Sequence, residues 1–189
     1  MMKICSGNDP MHGIISLLDE EHTNKTIEIW DELASRCGLT AIEITPFPHF
    51  SWQIAEDYDI DCVEVLLDDL ASQQKPFNIL TSGLALFSGE KPVLYIPIVR
   101  SAELSKLHAY LWEQLEPLGD GISAHYAPQI WIPHITLATD DLDAEAMACV
   151  MGWLPFKSLN WQIDIDNFAF GFQLEGEKGF IRNRFDFDV

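Results

Sequence analysis

Two segments of this 189-residue chain match each other although nothing around them does. Pro48-His49-Phe50-Ser51-Trp52 and Pro133-His134-Ile135-Thr136-Leu137 both read proline, histidine, apolar, hydroxyl, apolar, with the histidines 85 residues apart. Proline is tolerated as the first residue of a strand, and residues i and i+2 of a strand point to one face. Each segment therefore reads as the opening of a strand. One face presents an imidazole with a hydroxyl, His49 with Ser51 and His134 with Thr136. The other turns Phe50 and Trp52, or Ile135 and Leu137, into a core.

The rest of the chain interleaves strands and helices. Residues 13–18 read as a buried strand, followed by Thr23 or Asn24 as a helix cap and by Ile27, Trp30, Leu33, Ala34 and Cys37 at spacings of three and four, closed by Gly38. An alternating stretch near 41–45 and a Pro-Phe-Pro turn lead into a strand from His49 to about Ala55. A helix over 61–74 follows, with Val63, Leu66, Leu67 and Leu70 inward. Pro76 ends it. Residues 77–87 and 92–99, joined by Ser88-Gly89-Glu90-Lys91, read as the two strands of a hairpin.

Ser101 then caps a helix with the stripe Leu104, Leu107, Leu111 and Leu115. A strand over 132–138 and a short helix over 143–151 come next. The end is β-rich: Leu159, Trp161, Ile163 and Ile165 alternate with polar partners, as do Phe168, Phe170, Phe172 and Leu174, and 180–187 adds an edge strand. The hairpin signals make the sheets largely antiparallel, so the fold class is α+β. No linker or low-complexity tract divides residues 1–189, which read as one domain.

Charge narrows the partners. Thirty Asp and Glu against 11 Lys and Arg give a formal charge of −19, which repels a long polyanion by the physics that makes basic proteins bind one. No apolar run approaches the roughly 18 residues that a membrane span needs, and no leader pattern precedes the first strand. Cys5, Cys37, Cys62 and Cys149 stand far apart and form no C-x-x-C pair. They read as reduced thiols in a cytoplasmic setting, with Cys37 and Cys62 as small core hydrophobes.

The paired motifs carry chemistry. In-line displacement at a phosphodiester needs one group to take a proton from the nucleophile and another to give one to the leaving oxygen, and imidazoles with a reference pKa near 6.5 suit both tasks. Ser51 and Thr136 can donate to the non-bridging phosphate oxygens without adding charge. At these residues the chain resembles the two-histidine (2H) phosphoesterase superfamily, the group of 2′,5′ RNA ligase-like proteins and cyclic nucleotide phosphodiesterases marked by a duplicated H-φ-[S/T]-φ. The resemblance implies two β-α lobes facing across a central cleft, with His49, Ser51, His134 and Thr136 as the catalytic set. It also implies metal-independent opening of a 2′,3′-cyclic phosphate or a related 2′,5′ phosphodiester, with no cofactor. Ser51 stands where threonine is commoner, Trp52 exceeds the usual aliphatic residue, and no basic residue lies close to either motif in the sequence.

Other features weigh less. Asp57-Tyr58-Asp59-Ile60-Asp61 opens like a calcium loop, but Cys62 occupies the glycine position and Asp68 the place of the bidentate glutamate. His12, His22, His108 and His125 follow no ligand spacing and read as surface or locally bonded. Trp52, Tyr126 and Trp131 flank the motifs and are candidates for stacking on a base. The expected partner is a small nucleotide or an RNA end, with no membrane, no metal and a monomeric protein; the rival reading is a non-catalytic nucleotide or phosphate binder of the same fold.

Overall fold

The computed structural model describes residues 11–174 and 177–188. In chain order the elements are β1 (Met11–Leu17), α1 (Glu20–Cys37), β2 (His49–Ala55), β3 (Asp57–Tyr58), α2 (Ile60–Gln73), β4 (Phe77–Leu80), β5 (Ala85–Phe87) and β6 (Val93–Pro97). Then come α3 (Ala102–Leu115), β7 (Gly119–Asp120), β8 (His134–Ala138), α4 (Ala144–Met151), β9 (Gln162–Ile165), β10 (Asn167–Gln173) and β11 (Phe180–Asp186). The architecture is α+β, and every strand pair is antiparallel.

Local chemistry sets the helix ends. Asp19 accepts the His22 amide and begins α1 a turn earlier than Thr23 or Asn24 would. Gly38, at φ 73°, ends it by sending its amide back to the Ala34 carbonyl. Ser101 caps α3 as the sequence predicts, and Asp143, read as the first residue of the short helix over 143–151, is the cap of α4. Asp59 caps α2 by accepting the Cys62 amide, so a carboxylate of the calcium-like pattern is spent on the helix it precedes. Residues 41–44, read as alternating, form a single 3₁₀ turn.

Strand order places the two motifs. One sheet runs β11-β10-β1-β2 and another β5-β6-β8, so β2 and β8 are both edge strands. Their Cα atoms come within 8 Å of each other, and a single buried cluster containing Phe50, Trp52, Ile135, Leu137, Phe168 and Phe170 underlies both sheets. Burying each such side chain contributes about 1.5–3 kcal/mol. The long hairpin expected over 77–99 is shorter than its pattern suggests. β5 and β6 form it, whereas β4 pairs with β9, some 80 residues away.

The cysteine reading needs correcting. Cys37 at the end of α1 and Cys149 in α4 are joined in a disulfide, with Cα atoms 5.8 Å apart, and Cys62 is exposed on α2. The bond removes the argument from thiols for a reducing compartment, because disulfides persist mainly in oxidising ones. Among the described residues no helix is long and apolar enough to cross a membrane.

Candidate active site

β2 and β8 begin alike. In each, the histidine is half-buried, the next residue buried, the hydroxyl residue half-buried, and the two after it buried. Alternation fails at the same step in both strands. In β2 the register passes from Ser51 opposite Ile15 to Gln53 opposite Ile14, and in β8 from Thr136 opposite Tyr95 to Ala138 opposite Leu94. Trp52 and Leu137, the fourth motif positions, are thus the extra residues of two bulges, a device that redirects strands beside functional sites.

The imidazoles are set identically too. Nδ1 of His49 lies 2.9 Å from the Phe47 carbonyl oxygen, and Nδ1 of His134 lies 2.8 Å from that of Ile132. A carbonyl only accepts, so each Nδ1 carries the hydrogen and each Nε2 is left as the nitrogen able to accept a proton. The proline between carbonyl and histidine holds the preceding residue extended, which lets that carbonyl face the ring. Sequence comparison found the prolines and histidines but not this role for the residues before them.

Aromatic rings wall the imidazoles. Phe87 meets His134 edge-on at 5.0 Å and 83°, Tyr95 lies 5.0 Å from the same ring, and Phe47 lies 5.4 Å from His49. Burial, the largest cause, and the charge of His134 push the His49 imidazole down to about 4 against the pull of the Phe47 carbonyl. Burial likewise lowers His134, opposed by the Ile132 carbonyl. Both rings are neutral at pH 7, and a proton reaching the pair is disfavoured on His49 by one already on His134.

Two of the three rings proposed for base stacking are elsewhere. Trp52 and Trp131 are 0% and 1% exposed, with ring centroids 5.6 Å apart, and His108 covers Trp131 at 3.7 Å and 4°. No face of either indole is open to a base. The strand period, which sent Trp52 to the core, was the better guide. Tyr126 is half-buried against that core. His108, read as surface or locally bonded, is fully buried and reaches 56 residues to bond the Trp52 carbonyl.

Arg100 alters the electrostatics. Most described cations pair with carboxylates, but Arg100 donates to the carbonyls of Trp131 (3.1 Å) and Pro128 and to the Ser105 hydroxyl. These acceptors are neutral, no carboxylate among the described residues pairs with Arg100, and the Trp131 carbonyl that it bonds stands three residues before His134. The fold therefore supplies near the second motif a cation that the sequence does not place there. Among the described residues no group of three or more His, Cys, Asp or Glu is arranged to hold a metal ion.

The family model of the 2′-5′ RNA ligase superfamily matches residues 26–170, which include both half-sites. A protein of Bacillus cereus named "Putative phosphoesterase" is 27% identical over 121 residues, 64% of this chain and 66% of its own length. Proteins of the same description from Bacillus cytotoxicus and a Geobacillus species are each 25% identical, over 69% and 68% of this chain and 73% and 71% of theirs. The chain spans just under two thirds of the length of the first of these relatives. With two matched half-sites on edge strands, and a family match across most of its length, the chain belongs to the 2′-5′ RNA ligase superfamily.

Proposed function

We propose that the protein is a metal-independent phosphodiesterase that opens a 2′,3′-cyclic phosphate, or a related 2′,5′ phosphodiester, on a small nucleotide or RNA end. The observation carrying this reading is the identical setting of the two imidazoles, each with Nδ1 tied to the carbonyl two residues before it and Nε2 left to move a proton. His49, disfavoured as the site of a proton, is the base that takes one from water. His134 is the acid. As the water oxygen bonds to phosphorus, the ribose oxygen leaves with the His134 proton, and the cycle closes when the proton on His49 returns to His134 through solvent.

Ser51 and Thr136 donate to the non-bridging oxygens and meet the developing charge with neutral groups. Such a site suits the single charge of a diester better than the double charge of a terminal phosphate. The charge of −19 adds to this by favouring mononucleotides and short ends over long RNA. The test is a turnover screen over 2′,3′-cyclic mononucleotides, RNA ends bearing a cyclic phosphate and 2′,5′-linked dinucleotides, resolved by chromatography. Conversion that vanishes in His49→Ala and His134→Ala supports the proposal. Phosphate or nucleotide binding without conversion by the wild type supports the binder instead.

A further inference from the structure

The hydroxyl residues of both motifs are held by tryptophans from outside their strands. Because β2 and β8 are sheet edges, each has one side with no partner strand, and a carbonyl on that side is left to water or to a side chain. The Ser51 carbonyl accepts the indole N–H of Trp131 at 3.0 Å, and the Thr136 carbonyl accepts that of Trp30 at 3.2 Å. The two donors come from unrelated places, one from the segment before β8 and one from the middle of α1. Yet they serve the same motif position, one residue before each bulge. Both bonds are partly buried, and what recurs is the position they serve, the carbonyl of the hydroxyl residue in each motif.

The bulge makes that geometry matter. The peptide after each hydroxyl residue leaves the regular ladder, and its orientation fixes where that residue's Cβ and hydroxyl point. In β2 the clamp is double: Trp131 holds the Ser51 carbonyl while His108, stacked on it, bonds the Trp52 carbonyl at 3.0 Å. Trp131 also stands three residues before His134, so its bond to Ser51 ties the approach to the second half-site directly to the first.

We propose that Trp30 and Trp131 are positioning residues that aim the Thr136 and Ser51 hydroxyls at the phosphate through their indole N–H groups. The inference rests on the phosphodiesterase reading above. Trp30 is the sharper test because it is only half-buried. Trp30→Phe keeps the bulk and removes the donor. On a 2′,3′-cyclic mononucleotide, with folding checked by circular dichroism, it should lower kcat about tenfold with KM within twofold, as for one lost hydrogen bond expressed in the transition state. In a Thr136→Ala background the same change should do almost nothing further, since the hydroxyl it aims is gone. Trp131→Phe should behave likewise against Ser51→Ala.

A folded Trp30→Phe with wild-type kcat, or a loss that adds in full to that of Thr136→Ala, would overturn the positioning role while leaving the phosphodiesterase intact. A wild type that converts none of the diesters would overturn both.

Discussion

The imidazole of His108 lies flat on the indole of Trp131, 3.7 Å away and 4° from parallel, and its Nε2 donates to the Trp52 carbonyl. Burial is the largest cause pushing His108 down to about 4, and the charge of Arg100 adds to it. Unfolded, the ring takes a proton near pH 6.5. Between about 6.5 and 4 the unfolded state therefore binds more protons than the folded one. The stability in question is whole above 6.5 and is lost as pH falls towards 4. For this fully buried ring the loss is of order 3 kcal/mol. Urea unfolding at pH 7 and pH 4.5 should show a smaller acid penalty in His108→Gln, which keeps an N–H donor but does not titrate.

Replacing either motif histidine with alanine should lower kcat by roughly 10²- to 10⁴-fold, the usual worth of one positioned acid or base. Ser51→Ala or Thr136→Ala should cost up to about 2.7–4 kcal/mol of transition-state stabilisation, as for a lost oxyanion donor. The double histidine replacement should be little worse than the worse single one, because groups acting as a unit are not additive. Steady-state kinetics on the best diester of the screen measures all five variants.

The pH profile should lean acidic. On the proposed assignment, His49 is lost as a base as pH falls through about 4, and His134 is lost as an acid as pH rises through a value held below the ordinary imidazole range. A plot of kcat/KM, which reports the free protein, should form a bell whose maximum lies below pH 6.5, with limbs that belong to the pair. The kcat profile should sit higher, because the bound phosphate anion favours both protonated rings. A kcat/KM optimum above pH 7 would contradict the assignment.

Arg100 should act on binding more than on chemistry. Its guanidinium bonds the Trp131 carbonyl, about 10 Å of extended chain before His134, a span near the screening length of physiological salt. Arg100→Gln should raise KM about twofold to threefold at low ionic strength, with kcat nearly unchanged, and the effect should fade in 0.5 M salt. Arg100→Lys, which keeps the charge, should keep most of the affinity.

What the sequence showed and what it hid divide by distance along the chain. The bounds of β2 were legible because proline and a two-residue period mark a strand from within, and the Ser101 cap was legible for the same local reason. The pairing of β4 with β9 was not, since the strong local signal over 88–91 drew β4 into a hairpin with the wrong neighbour. Within the site, His49, Ser51, His134 and Thr136 stood out because they repeat. His108, Trp30 and Arg100 did not, because their bonds to Trp52, Thr136 and Trp131 span 56, 106 and 31 residues and leave no periodic trace. The bulges at Trp52 and Leu137 were hidden as well, for an extra residue in a strand is defined only against its partner.

The bond between Cys37 and Cys149, 112 positions apart, closes the chain between them into a covalent ring, and both half-sites lie inside that ring. A protease that cut the exposed Ser88-Gly89-Glu90-Lys91 turn would open the ring without releasing a fragment, leaving His49 on one piece and His134 on the other, still fastened together. Nicked protein would run as one band without reductant and as two with it. Cleavage in a lysate would thus place the two motif histidines on different peptides while keeping them in a single molecule.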